Sequence, residues 1–514
     1  MSITRLRNSS SKYLRLGMGI FTAIFAVTIF FGYSSYITSG RSPEAEAKKV
    51  IAEVNGLKIN AEEFNMVYEQ QSRMFSMQGS LSPLQDAMLR SSILNQLIDQ
   101  RIRISAAKEK GIAISRGEIK QKRKKIVDEQ MEQYRQMVAG NQKKKISDKK
   151  FNELLGMLTP PKTIKSLRKE IESDISTDAV RDQLMVEKLE AQLRASVGKI
   201  DDKRVKDSFK QAKIRQIVFR VGSAPEAQVK RKAEEVLKKV KAGEDFAKLA
   251  EQYSDDEYSK KEAIYMPLMF DRDLQNLKAG QTSGIMKALG GDGYRIVKVE
   301  EVKLELPNDF EKNKKQHAEQ IKMTLENMAM YEFLDKVRKD ARIKVYDSEL
   351  NGYWLADRSE EPGLSQAERD KRLNEAIEAL NKATRESPNA VTAYCKLVDI
   401  YANKKQDLNK AINILVDILD TRQIVEHEDL RMMLGQFYMQ SNQKEKAIKQ
   451  LQDASEMIYE KGKHEQLKMM FTQLGRPDLA AKEDQWIAEY EKANPEPQMP
   501  PISTPVAPES KPKK

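Results

Sequence analysis

The arrangement of residues 213–300 limits the fold more than any other stretch of the chain. Lys213-Ile-Arg-Gln-Ile-Val-Phe219 reads as a short apolar strand. A charged helical segment follows and ends in Lys241-Ala-Gly-Glu-Asp-Phe-Ala-Lys-Leu-Ala-Glu-Gln-Tyr-Ser-Asp-Asp256. Met266-Pro-Leu-Met-Phe270, a turn at Lys278-Ala-Gly-Gln-Thr-Ser283 and a closing strand Gly293-Tyr-Arg-Ile-Val-Lys-Val299 complete the unit. Strand, helix, turn and strand in this order predict a small α+β domain.

This run of spaced motifs resembles the parvulin rotamase domain, which implies a peptidyl-prolyl isomerase fold over 206–303. The polar positions depart from that family. Parvulins carry one histidine in the first strand and one in the last; here the places hold Gln216 and Arg295, and no histidine lies between 213 and 300. The loop that in the family brings an acid or thiol to the substrate is shortened to Ser259-Lys-Lys-Glu-Ala263. Met266 and Phe270 stand where the family grips the proline ring, so the resemblance assigns them to substrate binding. Rotation about the peptide bond faces a barrier of about 18–20 kcal/mol. An isomerase must hold the twisted bond better than the planar one, whereas an apolar pocket alone binds both. The expectation is a binding domain with weak or lost isomerase activity and no assigned catalytic residue. Asp255, Asp256 and Tyr265 remain as possible polar contacts, and an active isomerase is the alternative.

Upstream, Val50 to Gly56 reads as a strand and tight turn. Asn60 with Glu63 starts a helix running to about Met77. A second helix spans about 83–110, with Leu89, Ile93, Leu94, Leu97, Ile98 and Ile102 at helical spacing. Ser115 with Glu118 caps a third, to about Ala139. The motifs Val54-Asn-Gly56 through Phe64, Leu94 through Ile102 and Gly111 through Ile119 together resemble the N-terminal chaperone region of the SurA/PpiD/PrsA family. The lysines at 143–145 read as a solvated face, and helices resume over 163–196. A long helix over 308–341 and a strand Arg342-Ile-Lys-Val-Tyr346 follow the parvulin-like stretch. The resemblance implies that 308–346 completes a module begun at 50–205, so that 206–303 is an insertion. Met66, Met74, Phe75 and Met77 are candidates for contact with varied unfolded clients.

From 364 to 492 a repeat is legible. Ala376, Ala411, Ala447 and Ala480 are 35, 36 and 33 residues apart, close to the period of tetratricopeptide helix pairs. Small residues are needed where two helices cross closely. Such arrays present a concave face to peptides or proteins, so an unnamed partner protein is expected there. The Pro/Lys-rich stretch 493–514 cannot bury enough apolar surface to fold.

The first fifteen residues are basic, and Leu16 to Ile37 carries no charge. At 1.5 Å per residue that run spans roughly 33 Å, enough for a bilayer core. The expectation is a cytoplasmic tail over 1–15 and a single transmembrane helix over 16–38, with the bulk of the chain in the periplasm. A cleaved signal peptide is the rival. The charge of +12 is interspersed with glutamate along helices, so nucleic acid is not an expected partner. Cys395 is the one cysteine, and His317, His427 and His464 are far apart. Neither a metal site nor a cofactor is expected. The fold class expected is multidomain and mainly α with one α+β domain. It comprises the membrane helix, a SurA-like helical module, the inserted parvulin-like domain and tetratricopeptide helical repeats. The function expected is a membrane-anchored extracytoplasmic chaperone for unfolded or nascent polypeptides. The alternatives are an active peptidyl-prolyl isomerase and a tetratricopeptide scaffold.

Overall fold

The structure is a computed structural model. It describes residues 49–76, 81–139, 146–158, 160–221, 226–271, 273–275, 277–288, 293–361 and 364–494. The chain divides into two compact units, Met1–Leu81 with Asp86–Glu386, and Ser82–Gln85 with Ser387–Lys514.

In the first unit, strands β1 (Val50–Val54) and β2 (Leu57–Asn60) form a hairpin. Asn55 and Gly56 turn it, both at positive φ, as two-residue hairpins require. Helices α1 (Ala61–Ser76), α2 (Pro83–Glu109), α3 (Arg116–Ala139), α4 (Asp148–Gly156), α5 (Ile164–Asp174), α6 (Thr177–Ala195) and α7 (Asp202–Asp207) follow. The apolar side of α3 packs Ile126 and Val127 against Phe151, Leu155, Leu167 and Ile171 of α4 and α5.

Local chemistry sets where α3 begins. The Ser115 N–H donates to Glu118 at 2.9 Å, and the Glu118 N–H donates to the Ser115 hydroxyl at 3.2 Å, so two orphan donors are satisfied. The Glu118 carboxylate also pairs with Lys188 of α6 at 2.6 Å. The Lys188 ammonium, helped by Ser115, holds the Glu118 carboxyl well below its usual range, at about 2. A depressed acid favours the folded form above its unfolded value of 4.5 and loses that contribution as pH falls toward 2. Amides at the start of α3 should therefore lose exchange protection between pH 5 and 2, after correction for intrinsic rates. Glu118→Gln should remove most of that pH dependence; an equally steep loss in the variant would count against the cap.

The parvulin region comprises β3 (Lys210–Arg220), α8 (Glu226–Lys241), α9 (Phe246–Tyr253), α10 (Glu257–Lys261), β4 (Ile264–Pro267), β5 (Met286–Lys287) and β6 (Gly293–Leu304). Its antiparallel sheet has the order β4-β3-β6-β5. Side chains alternate across a strand. Ile217, Phe219, Tyr294 and Ile296 therefore share one face, packed on Val229, Ala233 and Val236 of α8 and Phe246 and Leu249 of α9. Asp245 caps α9, accepting from the Lys248 N–H at 3.0 Å. Gly293 opens β6 at φ +147, where an added Cβ would fall 2.0 Å from the Phe219 carbonyl oxygen. Only glycine lets the two long strands pair to their ends.

Helix α11 (Phe310–Asp340) leads to β7 (Ile343–Val345), which pairs antiparallel with β1, Ala52 opposite Val345 and Val54 opposite Ile343. Phe310 packs with Val205 and Ile321, and its ring meets Phe209 edge-on at 5.6 Å. Helices α12 (Ser348–Arg358) and α13 (Gln366–Glu386) end the unit. Asp357 accepts from Ser91 and Asn95 of α2, at 2.5 and 2.9 Å.

The second unit holds three helix pairs: α14 (Val391–Asp399) with α15 (Leu408–Val416), α16 (Glu428–Gln440) with α17 (Lys444–Ser455), and α18 (Lys461–Gln473) with α19 (Pro477–Ala493). Short π-helical turns, Ile400–Lys404 and Asp417–Thr421, extend α14 and α15. Ala376, Ala411, Ala447 and Ala480 are all buried. At Gly435 an added Cβ would lie 2.7 Å from Leu451 Cδ2, so α16 and α17 touch nearly backbone to side chain. Cys395 is buried in packing.

One expectation is corrected. The membrane helix assigned to 16–38 lies outside the described residues, and among the described residues no helix is long and apolar enough to cross a membrane. The longest, α2 and α11, carry charges along their length, such as Arg90, Asp99 and Arg103, or Glu319, Glu326 and Lys336. Buried in hydrocarbon those groups would be costly. The described architecture is mainly helical and multidomain with a small sheet-containing parvulin region, and none of its helices is long and apolar enough to cross a membrane.

Candidate functional site

The second face of the parvulin sheet carries the residues singled out from the sequence. The strand register places Ile214 opposite Val299, Gln216 opposite Val297 and Val218 opposite Arg295. Gln216 and Arg295 therefore lie on one face, two rungs apart. Beneath them Ala212, Ile214, Val297 and Val299 pack with Leu268 and Leu274, and Met266 and Met286 lean on that cluster. Met266 is half-buried on β4, opposite Ala212. Phe270 closes the short 3-10 turn Leu268–Phe270 that follows β4.

Arg295 is only 2% exposed. Its guanidinium pairs with Asp271, itself 3% exposed, and its Nε donates to the Lys287 carbonyl at 3.2 Å. Nη1 is enclosed and has no partner among the described residues. A buried ion pair replaces solvation by one fixed geometry. Here it fastens the segment after Phe270 to β6. A cation so committed is not a mobile donor to a twisting amide. Gln216 is half-buried and makes no side-chain hydrogen bond among the described residues.

The other polar candidates are engaged elsewhere. Asp255 accepts from the Arg220 N–H at 2.9 Å, and Asp256 caps α10 by accepting from the Ser259 N–H at 3.1 Å. The Tyr265 hydroxyl donates to Glu301 at 2.9 Å, which pushes the phenol up from its ordinary value. Ser254 and Ser259 form a buried tie, with Ser254 Oγ accepting from the Val218 N–H at 3.1 Å.

Asp271 was not singled out from the sequence. The available signal is an arginine inside the apolar strand Gly293–Val299, which needs a buried acid, and Asp271 is the first acid after the apolar run ending at Phe270.

Of the residues considered for client contact in α1, Met66 is buried in the core and Phe75 is 50% exposed. The Met74 side chain and Met77 lie outside the described residues. His427, Glu428 and Asp429 bring three possible metal-ligating atoms together. Lys463 Nζ, 2.9 Å from both carboxylates, already stands in the place of a cation.

Residues 3–155 match the SurA-like N-terminal domain, and residues 196–303 match the PPIC-type PPIASE domain. The chain thus carries a SurA-like N-terminal domain and a PPIC-type parvulin domain. It is similar to Chaperone SurA of Legionella pneumophila subsp. pneumophila, 27% identical over 265 residues that cover 49% of this chain and 57% of that protein. The chain thus spans little more than half the length of that relative. Foldase protein PrsA of Clostridium botulinum is 26% identical over 335 residues, 60% of this chain and 92% of that protein. Among solved structures, a SurA-like chaperone of Campylobacter jejuni is 14% identical, covers 58% of this chain and 98% of its own, and has a TM-score of 0.23.

Proposed function

We propose that the chain is an extracytoplasmic chaperone that holds unfolded polypeptide, and that its parvulin domain binds segments without efficiently isomerising them. The observation that carries this reading is the Asp271–Arg295 pair, which commits the Arg295 guanidinium to a buried structural bond. The relatives' names, chaperone and foldase, support the client class. Met266 and Phe270 are the residues taken to hold a proline-containing or aromatic segment. The helical module is taken as 50–205 completed by 308–346, with the parvulin domain over 206–303 as its insertion. The helix pairs over 364–492 act as tetratricopeptide repeats and dock a partner protein.

Light scattering of a chemically denatured client, with and without the full chain, tests the holding activity, and exchange NMR on an Ala-Pro-Phe peptide tests isomerisation. Suppressed aggregation with less than about tenfold faster exchange, a gain under about 1.4 kcal/mol in barrier, is the expected result. Acceleration beyond that, abolished by Phe270→Ala, would make the chain a working isomerase. No suppression at all, with partners still captured by the repeats, would make it a scaffold.

A further inference from the structure

A groove of about 670 Å³ lies between α3, α5 and the start of α6, within the size range of ligand clefts, about 300–1,000 Å³. Arg116, Lys120 and Lys124 stand at successive i, i+4 positions along its α3 wall. Like charges at this spacing repel, and among the described residues none of the three has a carboxylate partner. Arg123 donates to the Glu172 carbonyl oxygen at 2.7 Å, and its Nε is enclosed without an acceptor among the described residues. The facing helices add Arg168, paired with Asp128 at 2.6 Å, and Arg181, paired with Asp178 at 2.5 Å. Glu172 is the one acid in the lining. The floor is apolar, made by Ile119 and Val127 of the core beneath.

We infer that this groove binds an acidic, apolar-containing peptide segment of a client. The inference rests on the chaperone reading above and names a class of segment for it. Four uncompensated cations around an apolar floor match a chain carrying both carboxylates and aliphatic side chains. Concentrated in a concave site, they attract such a chain far more than the same charges scattered over a surface. A flat lipid surface meets the cations but cannot reach the floor.

The test uses the full chain and two fluorescein-labelled peptides, one of Glu and Leu and its Gln and Leu counterpart, read by anisotropy. The Glu/Leu peptide is expected to bind at least about tenfold tighter, with the preference fading as ionic strength rises to about 1 M, where the screening length is about 3 Å. Lys120→Glu combined with Lys124→Glu changes two exposed side chains that have no bond among the described residues, and should erase the preference. Lys120→Gln with Lys124→Gln should give an intermediate loss. Equal affinity for the two peptides, or a preference that survives the double reversal, overturns the inference. So does binding to phosphatidylglycerol–phosphatidylcholine vesicles through these lysines while both peptides are ignored. If no client is protected from aggregation but the Glu/Leu preference holds and depends on Lys120 and Lys124, the groove stands and the chaperone reading falls.

Discussion

Replacing Asp271 by alanine is expected to destabilise the parvulin domain by about 3–5 kcal/mol. The change leaves Arg295, 2% exposed, without its counter-charge and with a second donor already unpartnered. The two tryptophans, Trp354 and Trp486, lie outside the domain, so hydrogen exchange of β3 and β6 amides is the suitable probe. The paired change Asp271→Leu with Arg295→Met should recover most of the loss, because well-packed apolar groups often replace a buried ion pair at little cost. The segment carrying Met266 and Phe270 should loosen in the single variant and tighten again in the double. A loss below about 1 kcal/mol for Asp271→Ala, the level of an exposed pair, would mean that Arg295 reaches water or another acceptor in solution.

Phe151→Ala should be as costly, about 3–5 kcal/mol. Its ring is fully buried among Ile126, Leu155, Leu167 and Ile171, and the Arg135 guanidinium lies over it at 4.7 Å from the centroid. The void left behind would sit under the junction of α3, α4 and α5. Denaturant unfolding followed by far-UV circular dichroism, with exchange mass spectrometry to localise the change, measures it. Preference for acidic peptides should fall with it, although Phe151 does not line the groove. Unchanged protection of α3 and α5 would show that the core closes around the deletion.

Much of this was legible where chemistry is local. The Ser115–Glu118 box depends on residues three positions apart, so the sequence displays both halves of the interaction. Alternation in β3 likewise marks which of its side chains share a face. The Asp271–Arg295 pair was not legible, because it depends on the register of strands and on a loop 24 residues away. In α1, the adaptability of methionine puts Met66 among possible contact residues, yet packing with the rest of the core buries it and leaves Phe75 open. The groove escaped for a related reason. Along the sequence the basic residues of α3 read as one solvated face among many, and only the fold brings Arg168 and Arg181 across from α5 and α6. The uncharged run 16–37 is plain in the sequence, but a span of apolar letters fixes no place in the architecture, and the described helices include none of its kind.

The pairing of β1 with β7 sets an order of maturation as the polypeptide is made. β1 is synthesised well before β7, yet one of its edges stays open until Ile343 to Val345 arrive. By then β3 to β6 are already available to fold together, as domains generally do during synthesis. The newborn protein therefore passes through an interval with its small rotamase-like body assembled and its outer scaffold still unclosed, exposing an unpaired strand that invites wrong partners.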